Sequence, residues 1–556
     1  MKNKQLSASD REQTVEKLKS ETFELIIIGG GITGAGIALD AASRGIKTAL
    51  IEMQDYAAGT SSRSTKLVHG GLRYLEHLER GLVREVGQER EIVHTNAAHI
   101  VIPEKMILPI IEDGSLGEFT TSLALYVYDF LAGVKKDEHR KMLSKEETLE
   151  KVPLLSKDLL KSGALYYEYK TNDSRLTVEV LKKAREFDAS LINYTKAEEF
   201  LYEDEKVKGV KVKDIKTGEA YLIKGENIVN ATGPWTDRLR KKDNSLEGKH
   251  LRHSKGIHIV VSKEDFNLNH AIYFDTGDNR MVFAIPRFDI VYIGTTDTNY
   301  SGNLENPEIN SEDVDYLLKA VNRIAPDANL STKHVKSAWA GLRPLIHEEG
   351  KDPSELSRKD EIFHSDTGLI SIAGGKLTGY RIMAKDVTNI VMKRLCKNSE
   401  REKIKCQTKN MRLSGGEFPF YPETSKIEEL YAKKYDEVMH TKITADDFRK
   451  LFFRYGMNLD RLSEKAFEYY NESKNSESAW LKAEIWYCIF YEGACSLSDF
   501  FIRRTGLIFF EIDKIAPNIK EAAGYFKEFL KLSENRLTED IEELHAELEH
   551  AQNFKK

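Results

Sequence analysis

The most constraining feature of this chain is a glycine triplet, Gly29-x-Gly31-x-x-Gly34, set between an apolar run and a run of small residues. Ahead of it, Leu25-Ile-Ile-Ile28 is short, β-branched and continuously apolar, the pattern of a strand buried on both faces. Behind it, residues 32–44 read as a helix of small residues that stops at Gly45. A second apolar run, Thr48-Ala-Leu-Ile-Glu52, closes a strand–helix–strand unit of about 30 residues. Each glycine has its own task in such a unit. The first permits a tight turn, the second lets the backbone approach a pyrophosphate, and the third lets the helix pack closely on the strand. The pyrophosphate rests on exposed N–H groups at the positive end of the helix. Glu52, 23 residues beyond Gly29, is placed to accept hydrogen bonds from an adenosine ribose. Gly29, Gly31, Gly34 and Glu52 are therefore assigned to a bound dinucleotide.

The rest of the chain must be built around that unit. Its 556 residues are enough for several domains. Aromatic residues hold at 9 % although 31 % of the chain is charged, which excludes wholesale disorder. The balance of 83 Lys and Arg against 89 Asp and Glu gives a net charge of −6, which argues against a nucleic-acid binder relying on a basic surface. The longest uncharged stretch near the start, residues 25–39, is fifteen residues long, short of the roughly 20 a membrane span needs. Residues 1–22 are polar and lack the apolar core of a signal peptide, so a cytoplasmic protein is expected. The four cysteines form no CxxC pair, and no HExxH or DxDxDG pattern occurs, so no metal site is expected. Cys488 and Cys495 read as small hydrophobes on one helix face.

Further along, a charged helical stretch covers roughly 74–95, and residues 207–214, 221–224 and 228–230 read as three short strands. Residues 254–262 and 281–296 read as strands of a different sheet. Residues 369–373 form one more buried strand, followed by Gly374-Gly375 and a helix from about Thr378. Residues 423–556 hold one proline, Pro517, and long helical periodicity, which predicts a separate helical domain. Its tail carries Leu537, Ile541, Leu544 and Leu548 as a seam expected to pack on that same domain.

A second chemical motif occupies residues 60–75, Thr-Ser-Ser-Arg-Ser-Thr-Lys-Leu-Val-His-Gly-Gly-Leu-Arg-Tyr-Leu. Short hydroxyls, paired glycines and three cations suit a ribityl chain and a pyrophosphate, which need small donors and bare backbone. Ser61, Ser62, Lys66, Leu67, His69 and Gly71 are assigned to the cofactor on this ground.

Residues 64–76 closely resemble the signature of FAD-dependent glycerol-3-phosphate dehydrogenases. So do Gly294-Thr-Thr-Asp-Thr298, Ala340-Gly-Leu-Arg-Pro-Leu345, Ser357-Arg-Lys-Asp360 and Gly374-Gly-Lys-Leu-Thr378. Ile228-Val-Asn-Ala-Thr-Gly-Pro-Trp235 resembles the strand that this family carries beside the flavin, which brings in Gly233. Asp499-Phe-Phe-Ile-Arg-Arg-Thr505 resembles its C-terminal helical domain. The resemblance implies an α/β fold with a glutathione-reductase-like, FAD-binding Rossmann domain from 20–95, 150–250 and 360–395. A substrate domain with an antiparallel sheet is expected over 96–149 and 251–359, and an all-α C-terminal domain over 400–556.

The activity implied is oxidation of sn-glycerol 3-phosphate to dihydroxyacetone phosphate, with hydride transfer to FAD and electrons passed to a quinone. The partners implied are a membrane surface, touched peripherally at the inner face of the cell membrane, and a second copy in a homodimer. Arg73, Arg343, Arg358 and Lys376 sit in four matching motifs and are expected to converge on the substrate phosphate, where the guanidinium fork engages oxygens bidentately. Tyr74 is expected beside them. His69 and His258 are the two candidates for the base that takes the C2 hydroxyl proton. Thr378 and Gly379 open a helix whose positive end favours the anionic reduced flavin. Two other readings stand beside this one: an oxidase of the same family that makes peroxide from O2, and a non-catalytic flavin-binding regulator. The family's oxidases carry an extra insertion, and no surplus stretch stands out here. Intact cationic motifs argue against the regulator.

Overall fold

A computed structural model describes residues 4–69, 80–112, 114, 139–278, 280–348, 360–374, 376–395 and 399–554. Its first sheet is parallel at the centre. Strand Thr22–Ile28 lies between Thr48–Ile51 and Ala220–Asn230; Ser190–Ile192 extends one side and Ile370–Ala373 the other, all parallel, with Glu361–His364 antiparallel at the edge. The strand Thr22–Ile28 is buried on both faces: helices pack on Leu25 and Ile27, while helix Arg11–Ser20 and the strands Thr195–Glu203 and Lys206–Asp214 cover Phe23, Ile26 and Ile28. Helix Ile32–Ser43 is almost wholly buried and packs against Asp173–Glu186 and Tyr380–Leu395. Its small residues make that possible: a side-chain carbon on Gly36 would stand 2.9 Å from the Tyr380 ring.

The expected strands 221–224 and 228–230 form one, Ala220–Asn230. Its first half alternates exposed and buried residues in a hairpin with Lys206–Asp214, and Lys224 and Glu226 take the open face. Its second half is continuously buried where it enters the parallel core. Strand Thr195–Glu203, absent from the sequence reading, completes that meander. The expected run 281–296 is a hairpin, Met281–Arg287 and Ile290–Gly294, turned at Phe288 with φ 53°.

Among the described residues the second sheet has ten strands and is antiparallel except where Ala271–Asp275 runs beside Ile102–Ile111. Strand Leu160–Lys170 lies in this sheet, paired along Ile102–Ile111, although it falls inside the 150–250 span assigned to the first body. The helical part, from Thr424–Val438 to Glu534–Gln552, joins the second sheet through a shared core. The tail seam packs on its own helical part, as expected, and on the second sheet as well. Leu544 is buried in that shared core, and the helix end is tied to the second body by Gln552 Nε2 donating to the Lys336 carbonyl at 3.3 Å. Cys488 lies in helix Ser476–Glu492, but Cys495 lies past its end, so the two share no helix face. Among the described residues no helix is long and apolar enough to cross a membrane.

Candidate active site

The carboxyl ends of Thr22–Ile28, Thr48–Ile51, Ala220–Asn230 and Ile370–Ala373 point the same way and open a crevice, the place where parallel sheets bind ligands. The glycine turn fills its centre. Gly29 has φ 117°, and a side chain there would meet the Ala231 carbonyl oxygen at 2.4 Å. A side-chain carbon on Gly34 would stand 1.9 Å from the Gly29 carbonyl oxygen, so only glycine lets the helix start this close to the strand. Gly31 caps helix Ile32–Ser43, and Ser61 Oγ accepts the Ile32 N–H at 2.9 Å. Glu52 stands at the end of the second strand, accepting the N–H groups of Gly30 at 2.6 Å and Gln54 at 2.9 Å. Burial raises its carboxyl above the usual range despite those two donors. Gly233, at φ 56°, and Gly379 follow two of the same strand ends, and a side-chain carbon on either would meet nothing within 4 Å.

Three side chains assigned to the cofactor turn inward instead. Lys66 is fully buried at φ 56°, donating to the Ser62 carbonyl at 2.7 Å and Asp173 at 2.8 Å. Its ammonium lies 4.4 Å from the Phe509 ring, so it is committed to the protein interior. Leu67 belongs to the second-sheet core, and Ser62 is buried with its hydroxyl toward the Gly59 carbonyl. Spacing alone did not show that Lys66 has a buried partner 107 residues away.

His69 and Thr378 meet directly. The His69 N–H donates to Thr378 Oγ1, whose hydroxyl donates back to the His69 carbonyl, each at 3.1 Å. Lys376 caps the short turn Leu377–Gly379 that leads into helix Tyr380–Leu395. Burial lowers the His69 imidazole, with Glu168 opposing and Lys376 reinforcing the shift.

On the second sheet, His258 and Arg343 lie on the neighbouring strands Lys249–Ser262 and Val335–Glu348. The His258 ring stacks on Trp339 at 4.8 Å, and its Nε2 lies 3.0 Å from Thr65 Oγ1. Burial, then the charges of Arg343 and Lys66, hold this imidazole well below its usual range, so it is neutral. The Arg343 guanidinium donates from Nη2 to Thr295 Oγ1 and from Nη1 to the Thr296 carbonyl, both at 3.2 Å, and stands 3.5 Å from Asp297. It can lie flat across the sheet only because residue 256 is glycine, where a side-chain carbon would come within 2.7 Å of Nη2. The Thr295-Thr-Asp297 turn thus orients the arginine, and Thr296 Oγ1 also accepts the Ile257 N–H at 3.1 Å. Gly71, Arg73, Tyr74 and Arg358 lie outside the described residues.

These residues fit FAD. The glycine cradle admits a pyrophosphate that any larger side chain would exclude. Glu52 offers a carboxylate at the ribose position, and Gly233, Thr378 and Gly379 line the same crevice. A glycine turn at the switch point of a parallel sheet, faced by an arginine and a neutral histidine from a second sheet, defines a dinucleotide-dependent oxidoreductase acting on an anionic substrate.

Comparison with known proteins makes this specific. A family model described as FAD dependent oxidoreductase matches residues 24–381. A model described as the C-terminal domain of alpha-glycerophosphate oxidase matches residues 406–537. The aerobic glycerol-3-phosphate dehydrogenase of Bacillus subtilis (strain 168) is 50 % identical over 548 residues, 98 % of each chain. That of Staphylococcus aureus (strain USA300) is 46 % identical over 554 residues, 99 % of each. The solved glycerol-3-phosphate dehydrogenase of Bacillus halodurans, complexed with FAD, superposes with a TM-score of 0.84 at 40 % identity, covering 99 % of both chains. The chain belongs to the FAD dependent oxidoreductases, in the aerobic glycerol-3-phosphate dehydrogenase family.

Proposed function

We propose that this protein oxidises sn-glycerol 3-phosphate to dihydroxyacetone phosphate and passes the electrons to a quinone. The observation that carries this reading is the Arg343 fork held beside the neutral His258 on the sheet that faces the glycine cradle. Bound FAD supplies the acceptor for the C2 hydride. Gly29, Gly31, Gly34, Glu52 and Ser61 would hold its adenosine and pyrophosphate part, and His69, Gly233, Thr378 and Gly379 would hold its flavin part. Arg343 and Lys376 bind the substrate phosphate by charge-assisted hydrogen bonds, joined by Arg73, Tyr74 and Arg358.

His258 takes the proton that leaves the C2 hydroxyl. Its basicity is coupled to substrate: Arg343 is among the charges that depress it, so a phosphate dianion on Arg343 relieves part of that depression. The base therefore strengthens when the substrate is seated. Arg343 and Lys376 also stabilise the negative charge that develops at the C2 oxygen.

The test is anaerobic. Glycerol 3-phosphate added to the yellow protein is expected to bleach the visible flavin band, and a quinone analogue to restore it. No bleaching leaves only the flavin-binding regulator. Rapid recovery in air, with release of peroxide, selects the oxidase. Quinone use brings the protein to a membrane surface as a peripheral partner, and sedimentation with anionic vesicles tests that contact. Sedimentation equilibrium tests the homodimer.

A further inference from the structure

A cleft of about 260 Å³ runs between the second sheet and the helical part, and the chemistry above makes no use of it. One side is formed by the ends of strands Leu160–Lys170 and Met281–Arg287, the other by helices Thr424–Val438 and Ala445–Tyr455, and residues 505–511 close it. Much of the wall is apolar, with Ile427, Phe453 and Phe510 contributed by three separate segments. Two polar groups in this wall are unusual.

The first is Arg287. The other basic side chains of the wall each have a carboxylate within 4 Å, as Lys170 has Glu104 at 2.6 Å and Arg449 has Glu428 at 2.6 Å. Arg287 has none among the described residues. It donates from Nη1 to the Thr171 carbonyl at 2.7 Å and lies 4.1 Å from the Phe510 ring. A guanidinium carries five donors in a planar fork, so most of its capacity is left for an anion.

The second is His99, 0 % exposed, whose two ring nitrogens find no hydrogen-bond partner among the described residues. The ring is slotted against Gly415 and Gly456, where side-chain carbons would stand 2.9 Å and 2.8 Å from it. Its position is therefore fixed by packing and its polarity is unused. Buried polar groups are ordinarily paired, and here an unpaired buried imidazole sits in the wall of a largely apolar cavity that also holds a guanidinium with no carboxylate within 4 Å among the described residues, Asp173 and Glu511 acting on it only from farther off.

We propose that this cleft is a second ligand site, for a small organic anion with an apolar body. Its acidic head, phosphate or carboxylate, binds Arg287, and its body lies along Phe510 and Phe453. Such an anion comes either from the soluble pool or from a lipid with an acidic head.

Equilibrium dialysis of the holoenzyme with octyl phosphate, in the presence of saturating glycerol 3-phosphate, tests the site. Saturable binding of one equivalent is expected, weakened at least tenfold by Arg287→Gln and abolished by Phe453→Trp, which fills the cleft while keeping the arginine. Both variants should still bleach with glycerol 3-phosphate, so failure here is separable from failure of the proposed activity. Propyl phosphate distinguishes the sources: equal binding assigns a soluble ligand, and much weaker binding a lipid-derived one. Absence of saturable binding, binding indifferent to both variants, or displacement by glycerol 3-phosphate would overturn the proposal.

Discussion

Asp55 and Arg504, 449 residues apart in the chain, meet as a bidentate pair at 2.7 and 2.9 Å with both side chains closed to solvent. Asp55 also accepts Nε–H of Arg503 at 2.7 Å and an amide hydrogen of Asn193 at 3.0 Å. It lies three residues past Glu52 and six before Ser61, in the loop that borders the glycine turn. The segment Asp499–Arg504 of the helical part therefore anchors the loop that shapes the cofactor site.

Asp55→Asn tests that anchor. Removing one charge from a buried pair leaves the other uncompensated and costs roughly 3–5 kcal/mol. Arg504 is stranded here, while Arg503 keeps Asp499 at 2.8 Å, so the lower part of that range is expected. The holoenzyme should melt markedly lower and release flavin on gel filtration. A variant with the normal melting temperature and full flavin content would show that the pair is dispensable.

Acid should loosen the fold in two stages. Burial alone would push the Asp55 and Glu492 carboxyls up, but for Asp55 the charges of Arg504 and Arg503, and for Glu492 those of Arg175 and Lys182, overrule it and hold each at about 2. Both values lie below those of an unfolded chain, so this stabilisation is complete above about pH 4–5 and is lost as pH falls toward 2. His99 and His258 act earlier. Burial keeps both neutral when folded, while the unfolded chain takes up their protons below about pH 6.5. Urea midpoints measured from pH 8 downward should hold until about 6.5, decline, and fall more steeply below about 4. A midpoint unchanged between pH 7 and 5 would remove the histidines from the account.

The glycine turn was legible because its spacing is set within one strand–helix–strand unit, although Gly29 also packs against Ala231 from a distant strand. Glu52 and Ser61 were legible for the same reason, being carried by the loop next to that unit. What escaped the sequence depends on pairing at long range. Nothing near Lys66 announces Asp173, which opens a helix 107 residues on, and nothing near Asp55 announces Arg503 and Arg504, which arrive only when the helical part docks. The single strand Ala220–Asn230 read as two because its pattern changes from alternating to continuously buried as it passes from a half-exposed hairpin into the sheet core. The tail seam was visible as periodicity, but periodicity does not say which neighbour it packs against.

Gly34→Ala should separate folding from cofactor binding. The added carbon would stand 1.9 Å from the Gly29 carbonyl oxygen, so helix Ile32–Ser43 must move away from strand Thr22–Ile28. Overpacking of this kind costs about 1–3 kcal/mol, which a chain of this size tolerates. The displaced helix end no longer presents its N–H groups to the pyrophosphate, so the purified variant should be folded by circular dichroism yet nearly colourless. Full flavin occupancy would place the cofactor's phosphates elsewhere.

Arg343 gives the sharpest test of the substrate site. Its Nη1 and Nη2 are each held at 3.2 Å by oxygens of the Thr295–Thr296 turn, which fixes the plane of the fork. A hydrogen bond to a charged group contributes about 1.5–3 kcal/mol, so Arg343→Ala should lower kcat/KM for glycerol 3-phosphate by roughly ten- to hundredfold, mostly through KM. Arg343→Lys keeps the charge but not the fork, since one ammonium cannot span both oxygens and the substrate at once, and should recover only part of the loss. Flavin content should be normal in both, because no atom of Arg343 supports the glycine turn. Phosphate binding there also releases His258 from a neighbouring positive charge. The acid limb of the kcat/KM profile should therefore shift in Arg343→Ala toward higher pH, as an imidazole freed from that charge titrates nearer its ordinary range. Unchanged KM together with an unmoved acid limb would take both residues out of the site.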